Sequence, residues 1–237
     1  MAGTTVERAV GRRAVTATAG VLFVGGGVQV LRAEHTRWGD ACGDDFDARA
    51  CLFAQNHESD YLLPSEPWMP IGDSAQRAGV GHLLVAAALA LLFATIRAPV
   101  WSRVLQVAVV SGVLSLGLIT LISGLAGRPI QIDALLWWVL LSWMCPVPLV
   151  VVVARWLSDD RFDGLIPRGA WLCWTGALVL TTPLVELFIT SGFIPYMSHD
   201  TKPWSSAPSG ALLALAGMVI LGGLVRSRLR GRVPAQR

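Results

Sequence analysis

Charge is what this chain has least of. Only 15% of its 237 residues are Asp, Glu, Lys or Arg, while 54% are hydrophobic. A soluble domain carries about a quarter charged residues, so this composition excludes a water-solvated globule and leaves lipid as the solvent. Lysine is nearly missing: Lys202 is the only one, and arginine supplies the rest of the positive charge. That bias, with Ala, Val, Leu and Gly dominating, points to GC-rich bacterial coding. The net charge of +3 raises no expectation of a nucleic-acid partner. The arginines sit in short loops beside apolar runs, where membrane topology accounts for them.

Chemical motifs are missing too. There is no Gly-x-Ser-x-Gly elbow, no His-Glu-x-x-His helix and no phosphate-cradling glycine loop, which removes most familiar enzyme classes. Histidine occurs four times. Only His82 falls inside an apolar run, whereas a b-type haem site wants facing histidines within helices, so no cofactor is expected. The spacing of Cys42, Cys51, His35 and His57 matches no zinc pattern, and no metal is expected.

What the chain has is long apolar runs. Six stretches, 14–31, 79–96, 104–125, 134–154, 170–190 and 209–225, meet or approach the length a helix needs to cross about 30 Å of hydrocarbon. None contains Lys or Arg. The expected fold is all-α: one polytopic membrane domain over 1–237, a bundle of about six transmembrane helices with a disulfide-capable extracytoplasmic loop. The first run follows Arg8, Arg12 and Arg13 as a signal peptide would, but it is longer than a signal core and lacks a small-x-small cleavage site. An uncleaved span is expected.

Orientation follows from arginine. Arg8, Arg12 and Arg13, the Arg97–Arg103 turn, the Arg155–Arg168 connection and the tail 226–237 all fall on one side, which the positive-inside rule makes cytoplasmic. Both termini are therefore expected in the cytoplasm of a bacterial inner membrane, the basic tail lying on anionic headgroups. The opposite side carries the acid-rich segment 32–78, too long for a mere connector. Its aromatics, Trp38, Phe46, Phe53, Tyr61 and Trp68, suit an ordered loop packed on the outer surface. Cys42 and Cys51 lie there, on the oxidising side, and their spacing predicts a structural disulfide rather than a redox pair.

Candidate chemistry gathers near the outer ends of the spans. Gln29 ends the first, His82 begins the second, Arg128 follows the third, Asp133 opens the fourth, and Glu186 lies in the fifth with Thr182 one turn before it. An ionisable group within a span is costly and normally faces the bundle interior or a watered cavity, which makes Glu186 a functional candidate. The plain alternative is a structural carboxylate paired with Arg128 or His82. Gly25-Gly26-Gly27, Pro146 and Pro183 are expected to interrupt their helices and open a cavity at this depth, unless they only kink and pack them.

Three functions fit these residues. The preferred one is binding or translocation of a small or lipid-like molecule through an outward-facing polar pocket lined by Glu186, His82, Asp133, Arg128, Gln29 and Thr182. The second is a membrane-embedded enzyme using Glu186 or Asp133 with His82 as acid and base. The third is a structural or assembly subunit of an envelope complex, which an exposed apolar patch around Phe53, Tyr61 and Trp68 would favour. The bilayer is the one partner common to all three.

Overall fold

A computed structural model describes residues 3–43, 45, 48–62, 64–95, 99–130, 170, 172–173, 175–176, 179 and 203–230. The described secondary structure is helical: α1 (Gly3–Cys42), α2 (Arg49–Gln55), a 3-10 turn (His57–Ser59), α3 (Ser74–Thr95), α4 (Val100–Ala126) and α5 (Ala207–Arg230). Four of these, α1, α3, α4 and α5, are long and apolar enough to cross a membrane. They coincide with the runs expected at 14–31, 79–96, 104–125 and 209–225. The run 134–154 and most of 170–190 lie outside the described residues. Of the latter run, Ala170 is buried in the bundle core, and Cys173 and Val179 pack against it.

Four helices stand side by side in the order α4, α3, α1, α5, each antiparallel to its neighbour. Gly26 of α1 meets Gly81 and Val85 of α3, Gly27 meets Gly210 and Ala214 of α5, and Gly79 of α3 meets Leu121 of α4. Water cannot drive helices together inside lipid, so close packing must hold these seams, and glycine supplies it by letting backbones approach. A Cβ on Gly27 would come within 2.4 Å of the Gly210 carbonyl oxygen. The glycine triplet therefore does not interrupt α1 as expected. The helix runs unbroken from Gly3 to Cys42, and Gly26 and Gly27 serve two different seams, with α3 and α5.

The second departure from expectation is the length of α1. Its 40 residues span about 60 Å, twice the hydrocarbon thickness. The segment expected to begin a loop at Arg32 instead stays helical to Cys42. Hydropathy marks where lipid ends, and here it ends before the helix does. Beyond Leu31 the helix keeps a buried face, formed by Ala33, Glu34, Arg37 and Trp38, at the spacing of successive turns. Against that face the chain folds a cap, residues 48–62 and 64–73.

Both ends of the α4-to-α5 connection lie at the cap end of the bundle. Gly124, near the end of α4, lies against Ala75 and Gln76 at the start of α3. Gly210, near the start of α5, lies against Leu31 of α1.

Candidate functional site

Polar side chains collect where cap and bundle meet. Glu34 of α1 is 1% exposed. Its Oε2 accepts a 3.0 Å hydrogen bond from Trp38 Nε1, one turn further along the same helix. Its Oε1 accepts the phenolic hydrogen of Tyr61, whose oxygen also lies within reach of Ser206, the residue just before α5. Tyr61 comes from the cap, and a single hydroxyl thus joins cap, α1 and α5. Burial, then the negative charge of Glu34, pushes the phenol well above its ordinary value. It stays protonated and keeps donating.

Arg37 lies beside this pair. Its Nε and Nη2 donate to the Ala54 carbonyl at 3.0 and 2.8 Å, and Nη2 also reaches Asp60 Oδ1 at 2.7 Å. The guanidinium stacks over Trp38 at 4.3 Å and stands 5.8 Å from the Tyr61 ring. A buried charge is tolerated only when its hydrogen-bonding capacity is met, and here backbone, carboxylate and ring faces all contribute. Trp68 Nε1 donates to the Asp60 carbonyl at 2.7 Å, which fixes the far side of the same segment.

Deeper in the bundle lies His82. It is 2% exposed, at the centre of the buried face of α3 with Ala78, Val85 and Leu89. Its Nδ1 lies 2.7 Å from the Ala78 carbonyl. A carbonyl oxygen only accepts, so Nδ1 carries the hydrogen, and in the neutral ring Nε2 presents a lone pair. That Nε2 has no hydrogen-bond partner among the described residues. Neither has the hydroxyl of Thr120 on α4, which is fully buried. The contacts of Gly79 with Leu121 and of Gly117 with Leu83 put these two residues within about one turn of the same depth. Two orphaned polar atoms at one level of a bundle interior are costly unless something meets them.

The expected site residues divide. Glu186, Asp133 and Thr182 lie outside the described residues. Gln29 shares the depth of His82 but sits half-buried on the α3-facing side of α1 with Gly25 and Gly26, not on the inner stripe of Phe23, Val30 and Glu34. Arg128 follows the left-handed cap residue Gly127 and is exposed at the cap end of the bundle, roughly 15 Å from His82 along the helix axis by helical rise. The residue that sequence reasoning passed over is Glu34. It lies just beyond the first apolar run, yet it falls seven and four residues after Gly27 and Val30, on the same helical stripe, and that spacing was the available signal.

The cap has a surface feature of its own. Cys42 and Cys51 are joined in a disulfide that closes a separation of 9 residues and ties α2 to the end of α1. Beside it runs a groove of about 570 Å³ lined by Ala41, Arg49, Ala50, Phe53, Ala54 and Ile71. Phe53 is 48% exposed there, whereas Tyr61, expected in the same patch, is buried and Trp68 half-buried. Among the described residues no three His, Cys, Asp or Glu side chains converge as a metal site would require.

Comparison with known protein families, with curated proteins and with solved structures finds no match to this chain.

Proposed function

We propose that this multi-pass membrane protein binds or translocates a small or lipid-like molecule through a polar pocket in the outer half of its bundle, beneath a disulfide-bonded cap. The observation that carries this reading is the pair of orphaned polar atoms, His82 Nε2 and Thr120 Oγ1, at one buried level. Packing alone gives no reason for both. Glu186, Asp133 and Thr182, whose sequence positions put them near the same depth, complete the pocket in this proposal, and Arg128 stands at its rim.

Six spans with cytoplasmic termini in a bacterial inner membrane suit this reading. The chain leaves α4 and enters α5 at one end of the bundle, so two crossings between them, at 134–154 and 170–190, return it to the end it left. The arginine distribution supports a cytoplasmic face at the opposite end. Reporter fusions after Arg237 and in 97–103 should report cytoplasm, and one near Asp60 the exterior.

The functional test is retention of ligand. Wild type, His82→Leu and Glu186→Gln are purified in their native lipid and the bound small molecules extracted for mass spectrometry. A compound retained by wild type and lost from both folded variants supports the proposal, and identical extracts from all three contradict it. The exposed groove at Phe53 favours a second reading, a subunit of an envelope complex docking on the cap. A stoichiometric partner that is lost on Phe53→Ser would put that reading first.

A further inference from the structure

We infer that Tyr61 and Leu62 form a plug that closes the outer mouth of the bundle over His82, with the Tyr61–Glu34 hydrogen bond as its latch. The inference rests on the pocket reading above and adds how that pocket is closed. Tyr61 is 2% exposed although it belongs to the cap. It shares one buried cluster with Ala33 of α1 and Ala75 and Ala78 of α3, three residues small enough to leave room for a phenol between the helix ends. Leu62 packs against both the cap cluster and the bundle core, so this step of the chain reaches from one into the other.

The cluster that holds the plug reaches to within one helical turn of the imidazole. Ala78, a member of the Tyr61 cluster, also supplies the carbonyl that orients His82. Outward of His82 the mouth is therefore covered by the ring of Tyr61, whose hydroxyl is held by Glu34 and Ser206.

The way the plug is held suits a reversible closure. Tyr61 is fixed by hydrogen bonds to α1 and α5, and its neighbour Asp60 by the bonds from Arg37 and Trp68. Water can replace each of these when the segment withdraws, and the net cost of exchanging such a bond is small. The rest of the cap can stay in place meanwhile. The disulfide holds α2 to α1, and Arg37 holds Ala54 independently of Tyr61. Opening thus moves one short segment and admits water to the level of His82 and Thr120.

The experiment uses Thr120→Cys in full-length protein with Cys145 and Cys173 changed to Ser, in right-side-out vesicles treated with a membrane-impermeant maleimide. An intact Cys42–Cys51 bond certifies that each variant is folded. Labelling should be slow in the parent and about tenfold faster with Tyr61→Phe or Glu34→Gln, the effect of losing roughly one hydrogen bond to a charged group. Tyr61→Ala, which removes the ring as well, should be faster still. Equal rates in the parent and all three variants overturn the plug and leave the pocket standing. No labelling in any of them, Tyr61→Ala included, overturns plug and pocket together.

Discussion

Tyr61 and Glu34, 27 residues apart in sequence, share a buried hydrogen bond where cap, α1 and the start of α5 converge. The phenol donates, the carboxylate accepts, and Trp38 Nε1 holds the second carboxylate oxygen. Replacing Tyr61 with Phe leaves Glu34 Oε1 without its phenolic donor while the ring still packs. We expect a loss of about 1–3 kcal/mol in cap stability, the contribution of one buried hydrogen bond to a charged group. Protease sensitivity of the 60–70 segment checks it; an unchanged cleavage rate would show the bond to be dispensable.

The same latch predicts a response to alkaline pH. The folded phenol is raised above its ordinary value near 10, so the folded state holds its proton where the unfolded state has released it. The stabilisation is complete below about pH 10 and is lost as pH climbs towards the folded value. In a Tyr196→Phe background, phenolate absorbance should rise only together with cap opening. Free titration of Tyr61 near its ordinary value in the intact protein would refute its burial against Glu34.

At the acid end the sign reverses. Asp73 is held below its ordinary 3.8, chiefly by its 2.6 Å hydrogen bond from Arg77. Its contribution is present above about pH 4 and fades as pH falls through the folded value. The pair is substantially exposed, so we expect Asp73→Asn to be nearly silent in thermal unfolding at neutral pH.

The glycine seams make a steric prediction. Gly27→Ala drives a methyl to 2.4 Å from the Gly210 carbonyl oxygen, a backbone atom with no freedom to give way, whereas a Cβ on Gly222 meets nothing within 4 Å. Overpacking of this kind costs about 1–3 kcal/mol. Thermal unfolding in detergent should separate the two variants clearly. Equal midpoints for Gly27→Ala and Gly222→Ala would mean that α1 and α5 are not in backbone contact.

Much of this architecture is legible in the sequence. Four of the six apolar runs correspond to described helices, and the Cys42–Cys51 pair to a disulfide. Hydropathy measures solvent, so it marks the apolar part of α1 and carries no sign that the helix continues to Cys42. Glu34 is hidden for the same reason, since hydropathy places it beyond the span and gives no sign that the buried stripe continues. Glycine composition cannot distinguish a helix break from a close seam, since both require the absence of a Cβ, and only the facing Gly81 and Gly210 decide it. The depth shared by His82 and Gln29 was readable from span limits. Which side of α1 Gln29 takes was not, because that depends on where α3 packs.

That the outer half of the bundle holds a watered pocket is tested most directly by comparing Thr120→Cys with Leu118→Cys. The two positions lie at nearly one depth on α4, but Thr120 is fully buried in the interior and Leu118 is 42% exposed on the bundle's outer surface. With the plug opened by Tyr61→Ala, a charged, membrane-impermeant thiol reagent applied from the cap face should modify the cysteine at 120 and spare the one at 118, since only the first then faces water. Modification of neither, or of 118 alone, would contradict a watered interior and leave the bundle a closed, solid core.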